Sequence, residues 1–266
     1  MPVLDITNDG HVRYLTLNRP EKMNALNEEL AWAIVGAVEE AAKDDDAWVI
    51  AITGTGRAFC AGLDLSDFAG EANASPLSPM TRQLDDLAWI SRFTLGMRQG
   101  CDKPVVAGIN GVAVGGGLAL AMSADIRIMR RSARLLAGYP RIGASPDGGL
   151  SYTLPEAMNY EQAIRFLLEN RTVEGDEALK LGLVGEVVDD EAFDARFREY
   201  CTSLTRLSPI TARLSKRVVR KATTAVDLTD VLRNEISSIG RAFASKDGIE
   251  ARTAFLEKRT PVFEGR

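Results

Sequence analysis

Hydrophobic positions change their spacing several times along the chain, and each change marks an element. Over 11–17, Val12, Tyr14, Leu15 and Leu17 read as a strand, which Asn18-Arg19-Pro20 ends because proline removes a ladder donor. From Asn27 the period lengthens. Leu30, Ile34, Val38 and Ala41 recur every three or four residues, the mark of one buried helix face. Asn27 suits its N-cap, and Glu28 and Glu29 suit the positive end of the helix dipole. Trp48 to Thr53 then reads as a buried strand, stopped by Gly54-Thr55-Gly56. A loop region follows from Arg57 to about Pro79; its part over 70–79, rich in Ser, Pro, Gly and Ala, reads as mobile rather than as scaffold. Next come a helix over 84–97, a buried strand over 103–109, a glycine-rich turn, a helix over 118–123 and a strand over 125–129. Beyond Asp147 the pattern is helical almost throughout, with helices over 160–168, 173–181, 209–222, 228–244 and 248–258. Strands and helices in alternation predict an α/β layer structure.

Composition narrows the chemistry. The chain has 266 residues, 45% hydrophobic and 26% charged, with a net charge of -5. A chain this long buries roughly three quarters of its unfolded surface, so it needs no disulfide or metal staple. Cys60, Cys101 and Cys201 form no CxxC pattern, which suits a reducing compartment. The mild acidity points away from nucleic acid as a partner. No apolar run approaches the ~18 residues of a membrane span, and residues 1–10 carry acids and no apolar leader, so the expected location is cytoplasmic. The only histidine is His11. Ser-His-Asp and Cys-His hydrolases, histidine-rich zinc sites and iron facial triads are therefore set aside. Proton transfer would fall to a carboxylate, a tyrosine or a lysine, and no metal site is expected.

Two glycine loops follow buried strands. Gly115-Gly116-Gly117 leads into a short apolar helix, where three residues without a Cβ allow close approach and free N–H groups suit an oxyanion. It lacks the Lys-Ser/Thr of a Walker loop and the spacing of a dinucleotide fingerprint; close strand–helix packing is the alternative use. The second loop lies within Ala58-Phe59-Cys60-Ala61-Gly62-Leu63-Asp64-Leu65. One N–H from each loop, aimed at a single carbonyl oxygen, would make an oxyanion hole. Cys60 reads as a small buried apolar residue rather than a nucleophile, since no imidazole is at hand.

These runs resemble the enoyl-CoA hydratase/isomerase (crotonase) superfamily. The matching segments are residues 17–27, with Asn18-Arg19-Pro20-Glu21-Lys22-Met23-Asn24-Ala25-Leu26, then 58–65, 103–117, Ala124-Asp125-Ile126, 176–184 and 255–261. They run in the family's order along nearly the whole chain. The resemblance implies an α/β fold: a crotonase-like ββα spiral core over 1–200 carrying the CoA-thioester site, its strands in two near-perpendicular sheets. A C-terminal helical segment over 201–266 would drive assembly into trimers, often paired as hexamers. It implies an acyl-CoA thioester substrate, with coenzyme A part of the substrate and no separate cofactor. The thioester oxygen would lie between the N–H groups of Leu63 and Gly116, with Ala61, Gly62 and Gly115 beside it. Lys22, Ala25 and Leu26 would line the adenine and pantetheine, and Phe255 and Lys258 of a neighbouring subunit would meet the adenine and phosphates.

Departures from the family pattern select the reaction. The two glutamates of typical hydratases fall at Ala119 and Tyr139, neither an acid. Asp147, in Gly143-Ala144-Ser145-Pro146-Asp147-Gly148-Gly149, stands where some isomerases of the family, including ring-epoxide phenylacetyl-CoA isomerases, place an aspartate. One carboxylate suffices for a 1,3-proton shift through an enolate. The expectation is therefore an enoyl-CoA isomerase with Asp147 as base. Asp147 also suits the N-cap of a helix over 148–154, a role that would lower its pKa where a base needs it raised. Tyr139 would bond the acyl group or Asp147, or simply wall the pocket. The rival readings are a hydratase using Asp147 alone or an acid from 70–86, an aryl-CoA hydrolytic dehalogenase, whose histidine falls near Arg92, and a silent acyl-CoA-binding subunit. Asp64 and Asp125 read as structural, and the acid-free basic stretch from Arg206 to Lys221 reads as a solvated helix face.

Overall fold

Two sheets interleave along the chain in the computed structural model, which describes residues 1–66 and 75–266. The strands are β1 (Leu4–Asp9), β2 (Val12–Leu17), β3 (Val49–Gly54), β4 (Ala58–Cys60), β5 (Val105–Ile109), β6 (Val112–Val114), β7 (Ile126–Arg130), β8 (Arg134–Leu136), β9 (Val173–Glu174) and β10 (Glu186–Val188). The larger sheet has the order β1-β2-β3-β5-β7-β10 and the smaller β4-β6-β8-β9. Each successive pair, β3–β4, β5–β6 and β7–β8, gives its first strand to the larger sheet and its second to the smaller. The strands so placed pair in parallel, β3 with β5 with β7 and β4 with β6 with β8. This is a spiral of ββα turns.

The helices are α1 (Glu28–Lys43), α2 (Pro79–Gln83), α3 (Ala88–Leu95), α4 (Gly116–Ser123), α5 (Leu150–Ala157), α6 (Tyr160–Glu169), α7 (Gly175–Lys180), α8 (Phe193–Leu204), α9 (Pro209–Thr224), α10 (Leu228–Ala244) and α11 (Lys246–Glu257). The central strands β2, β3 and β5 of the larger sheet are buried on both faces, which is why they read as continuous apolar runs, whereas β1 at its edge is largely exposed. Leu15, Leu17, Ile50, Ile52, Val105 and Ala107 join the main core with α1 and α4. Val12, Tyr14, Val49, Ala51 and Val106, one residue out of phase, face Phe193, Phe197 and Cys201 of α8.

Several boundaries differ from the sequence reading. β1 pairs antiparallel with β2 and was absent from it. The loop after Arg57 contains β4, and the helix expected over 84–97 is confined to α3, with a wider turn over Gly96–Gly100. The mobile loop expected over 70–79 lies partly outside the described residues; its end forms the start of α2, capped by the Ser78 hydroxyl accepting from Thr81 N. The helix expected over 173–181 begins as β9, and α8 is a helix beyond those the pattern predicts. The basic stretch is not a free surface. Lys216 pairs with Asp125 (2.7 Å), Arg220 with Asp102 (3.1 Å) and Arg217 with the same Asp102, so one side of α9 is held by acids of its own chain. No helix among the described residues is long and apolar enough to cross a membrane.

Candidate active site

Because β4, β6 and β8 are parallel, their carboxyl ends open at one edge of the smaller sheet. The chain leaving β4 is Ala61-Gly62-Leu63, that leaving β6 is Gly115-Gly116, and that leaving β8 is Ala137-Gly138-Tyr139. Three segments distant in sequence thus converge.

The first two segments touch through their glycines. Gly62 has φ +91°, and a Cβ there would lie 2.6 Å from the Val114 carbonyl oxygen and 3.7 Å from the Gly116 nitrogen. A Cβ on Gly117 would lie 2.1 Å from the Cys60 carbonyl oxygen. Only glycine lets the loops approach this closely. Leu63 forms an isolated parallel bridge with Leu26, in which Leu26 N donates to Gly62 O (2.7 Å) and Asp64 N to Leu26 O (2.8 Å). That bridge uses the neighbours' groups and turns the Leu63 N–H the other way. Gly116 opens α4, where an N–H has no intrahelical acceptor. The Leu63 and Gly116 N–H groups anticipated from sequence therefore lie on touching loops, the first turned away from the Leu26 bridge and the second without an intrahelical acceptor. Leu26 Cδ1 and Ile90 Cδ1 would stand 3.2 and 3.1 Å from a Cβ on Gly116, giving the donors apolar neighbours.

The Arg19–Leu26 segment lies along the same edge. Buried Asn24 donates to Thr55 O and Ala58 O (both 2.9 Å) and accepts from Arg19 N (2.9 Å). Ala61 N donates to Met23 O (3.0 Å), and Lys22 Nζ to Ser66 Oγ (2.9 Å). Lys22, Ala25, Leu26, Ala61, Gly62, Leu63, Gly115 and Gly116 are thus gathered together. Asp64 anchors this loop by pairing with Arg19 (2.9 Å) and accepting from Ser66, which fits its structural reading. Phe255 and Lys258 lie at the exposed end of α11, and among the described residues no hydrogen bond or ion pair joins them to the cluster.

The third segment brings the acid. Tyr139 is buried, and its hydroxyl donates to Asp147 Oδ1 at 2.7 Å. Its ring stands beside the glycine turn, with Cζ 3.9 Å from a Cβ placed on Gly115. Asp147 does not cap a helix with its side chain: α5 starts at Leu150 behind Gly149, in the left-handed region with φ +85°, and Leu150 N bonds the Asp147 carbonyl (3.1 Å). Asp147 is exposed as a residue, yet partial desolvation of its carboxyl raises its pKa above the ordinary carboxylate range, with the Tyr139 hydrogen bond opposing that rise. Burial and the neighbouring carboxylate push the Tyr139 hydroxyl far upward, so it stays protonated.

Sequence reasoning missed the residues that hold this loop. Thr94 Oγ1 donates to Gly148 O (2.7 Å) and lies 2.8 Å from Ser123 Oγ, which donates to Ala119 O (2.7 Å). Asn170 Oδ1 accepts from Gly138 N (2.7 Å). No local pattern announces them, since their partners are remote in sequence. Ala119 is buried, 2.7 Å from a Cβ placed on Gly148, so its position is filled by packing.

Other candidates are occupied elsewhere. His11 stacks on Trp48 with its Nδ1 2.8 Å from Asp46 O, at the far end of β2. Arg92 pairs with Asp85 (2.5 Å) and lies over the Trp32 ring. Burial pushes the Cys60 thiol up to about 12, which removes it as a nucleophile. Of the acids over 70–86, Glu71 lies outside the described residues, Asp85 is held by Arg92 and Asp86 is exposed.

Comparison with known proteins agrees with this fold. The model of the family described as Enoyl-CoA hydratase/isomerase matches residues 7–266. The 1,2-epoxyphenylacetyl-CoA isomerase of Escherichia coli is 31% identical over 261 residues, covering 96% of this chain and 95% of that protein. A probable enoyl-CoA hydratase of Rhodobacter capsulatus is 34% identical over 252 residues, covering 95% and 94%. The crystal structure of an enoyl-CoA hydratase from Bacillus anthracis superposes with a TM-score of 0.90 at 28% identity, covering 99% of this chain and 100% of that one.

Proposed function

Because the chain belongs to the enoyl-CoA hydratase/isomerase family, we propose that it is an acyl-CoA enzyme that shifts a double bond within an unsaturated acyl-CoA. The thioester oxygen accepts from the N–H groups of Leu63 and Gly116, which favour the enolate over the ground state because its oxygen carries more negative charge. Asp147 removes a proton from the α carbon of a 3-enoyl thioester. The electron pair spreads through the dienolate onto the thioester oxygen, and the same carboxyl returns the proton at the γ carbon, leaving the conjugated 2-enoyl thioester. No cofactor is needed beyond the coenzyme A carried by the substrate.

One observation carries this reading. Among the described residues, Asp147 is the acid that Tyr139 ties to the glycine turn, while buried Ala119 and Tyr139 occupy the positions where hydratases of the family place acids. Water addition by two carboxylates then lacks its second partner. Hydratase is kept as the second reading because relatives bearing that name match as well as the isomerase does. Hydrolytic displacement is disfavoured by Arg92, engaged with Asp85, at the place of the required imidazole.

The CoA portion would run along Lys22, Ala25 and Leu26. Phe255 and Lys258 would reach it from a neighbouring subunit of a homotrimer, itself free to pair as a hexamer. Exposed Leu228, Leu232, Ile236, Ile239 and Phe243 repeat every three or four residues along α10 and support such an assembly by residues 201–266. The test compares two rates on the purified enzyme: 3-enoyl-CoA to 2-enoyl-CoA, and hydration of 2-enoyl-CoA. Isomerisation at least ~100-fold faster than hydration is expected, on the scale of one lost acid–base group. The reverse ratio refutes the isomerase reading, and binding without turnover of either substrate refutes both.

A further inference from the structure

We propose that Tyr139 is the positioning residue of the Asp147 carboxylate, its hydroxyl holding Oδ1 so that Oδ2 is the oxygen offered to the substrate carbon. The inference rests on the reading of Asp147 as the base. A carboxylate turns about its Cβ–Cγ bond unless one oxygen is held, and Asp147 lies in a stretch without regular structure. Its main chain is fixed on the following side by Thr94, through Gly148 O, and by Leu150 N. The side chain is fixed by Tyr139, at 2.7 Å, a charge-assisted distance.

Tyr139 is itself well anchored. It opens a single 3-10 turn, Tyr139–Ile142, set by Gly138 N on Asn170 Oδ1 (2.7 Å) and by Ala144 N on Tyr139 O (3.1 Å). Its ring packs at Gly115, next to the Gly116 donor. One side chain thus ties the acid to the oxyanion edge, which sets the spacing between base and thioester oxygen.

The surroundings leave the pairing uncomplicated by charge. α3 turns Ile90, Phe93 and Thr94 toward the Asp147–Gly149 loop and keeps Arg92 on Asp85. α4 contributes Ala119, Arg141 on the turn is exposed, and Tyr152 of α5 lies beneath Arg98. Among the described residues, Tyr139 is the titratable group paired with Asp147. Removing its hydroxyl removes a donor that favours the ionised carboxylate, so Asp147 should titrate at higher pH in Tyr139→Phe.

The experiment uses the full-length assembled enzyme. For Tyr139→Phe, kcat for 3-enoyl-CoA should fall about 10–100-fold, the scale of a base misplaced by up to an ångström, with KM changed less than about 2-fold. The acid limb of its pH profile should move upward. Independently of turnover, 13C NMR of labelled aspartate carboxyls, with Asp147 identified by its loss in Asp147→Asn, should show the same upward shift. An Asp147 titration unchanged in Tyr139→Phe overturns the proposal, whether or not the variant retains full activity. If Asp147→Asn is inactive while Tyr139→Phe keeps the wild-type rate and pH profile, the positioning role alone is overturned. If Asp147→Asn isomerises at the wild-type rate, the base reading fails and takes the positioning role with it.

Discussion

Gly117→Ala tests whether the two glycine loops must touch for the oxyanion edge to exist. The new Cβ would sit 2.8 Å from both the carbonyl carbon and the Cβ of Cys60, and 2.1 Å from its carbonyl oxygen, the last more than 1 Å short of ordinary contact at 3.4–4 Å. The obstacle is backbone of β4, paired in the smaller sheet, and it cannot swing aside as a flexible side chain would. Overpacking of this kind costs about 1–3 kcal/mol and occasionally more; backbone against backbone belongs at the upper end, so about 3 kcal/mol is expected. The only relief is to separate α4 from the segment leaving β4, which moves the Gly116 N–H away from the Leu63 N–H. A misplacement of about 1 Å costs on the order of 100-fold, close to the loss of one oxyanion donor. Two measurements are needed: denaturant unfolding at fixed protein concentration, and kcat per folded enzyme under conditions where the variant stays folded. A lower midpoint with an unchanged slope and a kcat reduced about 100-fold, KM being little affected, is the expected result. A variant with wild-type stability and wild-type kcat would refute both the close approach and its role in catalysis.

Further outcomes follow from the same structure. Gly36→Ala, on the exposed side of α1 with nothing within 4 Å of the new Cβ, should stabilise the protein by about 0.5–1 kcal/mol in the same unfolding assay without changing activity. Asp64→Ala should cost about 1–3 kcal/mol, because it removes a buried carboxylate that accepts from both Arg19 and Ser66. Burial alone would raise the Asp64 pKa, but its hydrogen bonds from Ser66 and Arg19 outweigh burial and lower it. The stability it contributes is therefore present above the ordinary carboxylate pKa and lost as pH falls through the lowered value; an Asp64→Ala deficit that does not shrink in acid would contradict this. Asp147 has the opposite sign. Its raised pKa means that ionising it in the folded state disfavours folding, an effect absent below the unfolded pKa and complete once pH has risen through the folded one. Asp147→Asn should then unfold at higher denaturant than the parent at neutral pH, with the difference vanishing in acid, while equal stability at neutral pH would contradict it.

The sequence carries those parts of the fold that are written in runs long enough to show a period. Leu30, Ile34, Val38 and Ala41 mark α1, and the unbroken apolar runs mark the central strands β3 and β5, covered on both faces. The smaller sheet escapes this reading because β4, β6 and β8 have three residues each, too short to express alternation. The site is legible where glycines and the acid stand in recognisable runs. It is not legible where a hydrogen bond spans the fold, as from Thr94 to Gly148 or Asn170 to Gly138. The pairing of Arg217 and Arg220 with Asp102 was hidden for the same reason, so a basic run that reads as solvated is in fact held along one side by acids of its own chain. Asp147 shows how structure separates two roles that sequence leaves together: the carboxyl faces Tyr139 because Gly149, not Asp147, precedes the helix.

The central claim is that one carboxylate at this oxyanion edge moves the proton. Asp147→Ala should be assayed with 3-enoyl-CoA while binding of the same thioester is measured separately. Loss of about 10³-fold or more in kcat with binding retained within a few fold is expected for removal of the single acid–base group. Isomerisation that persists near the wild-type rate in Asp147→Ala would contradict the claim outright.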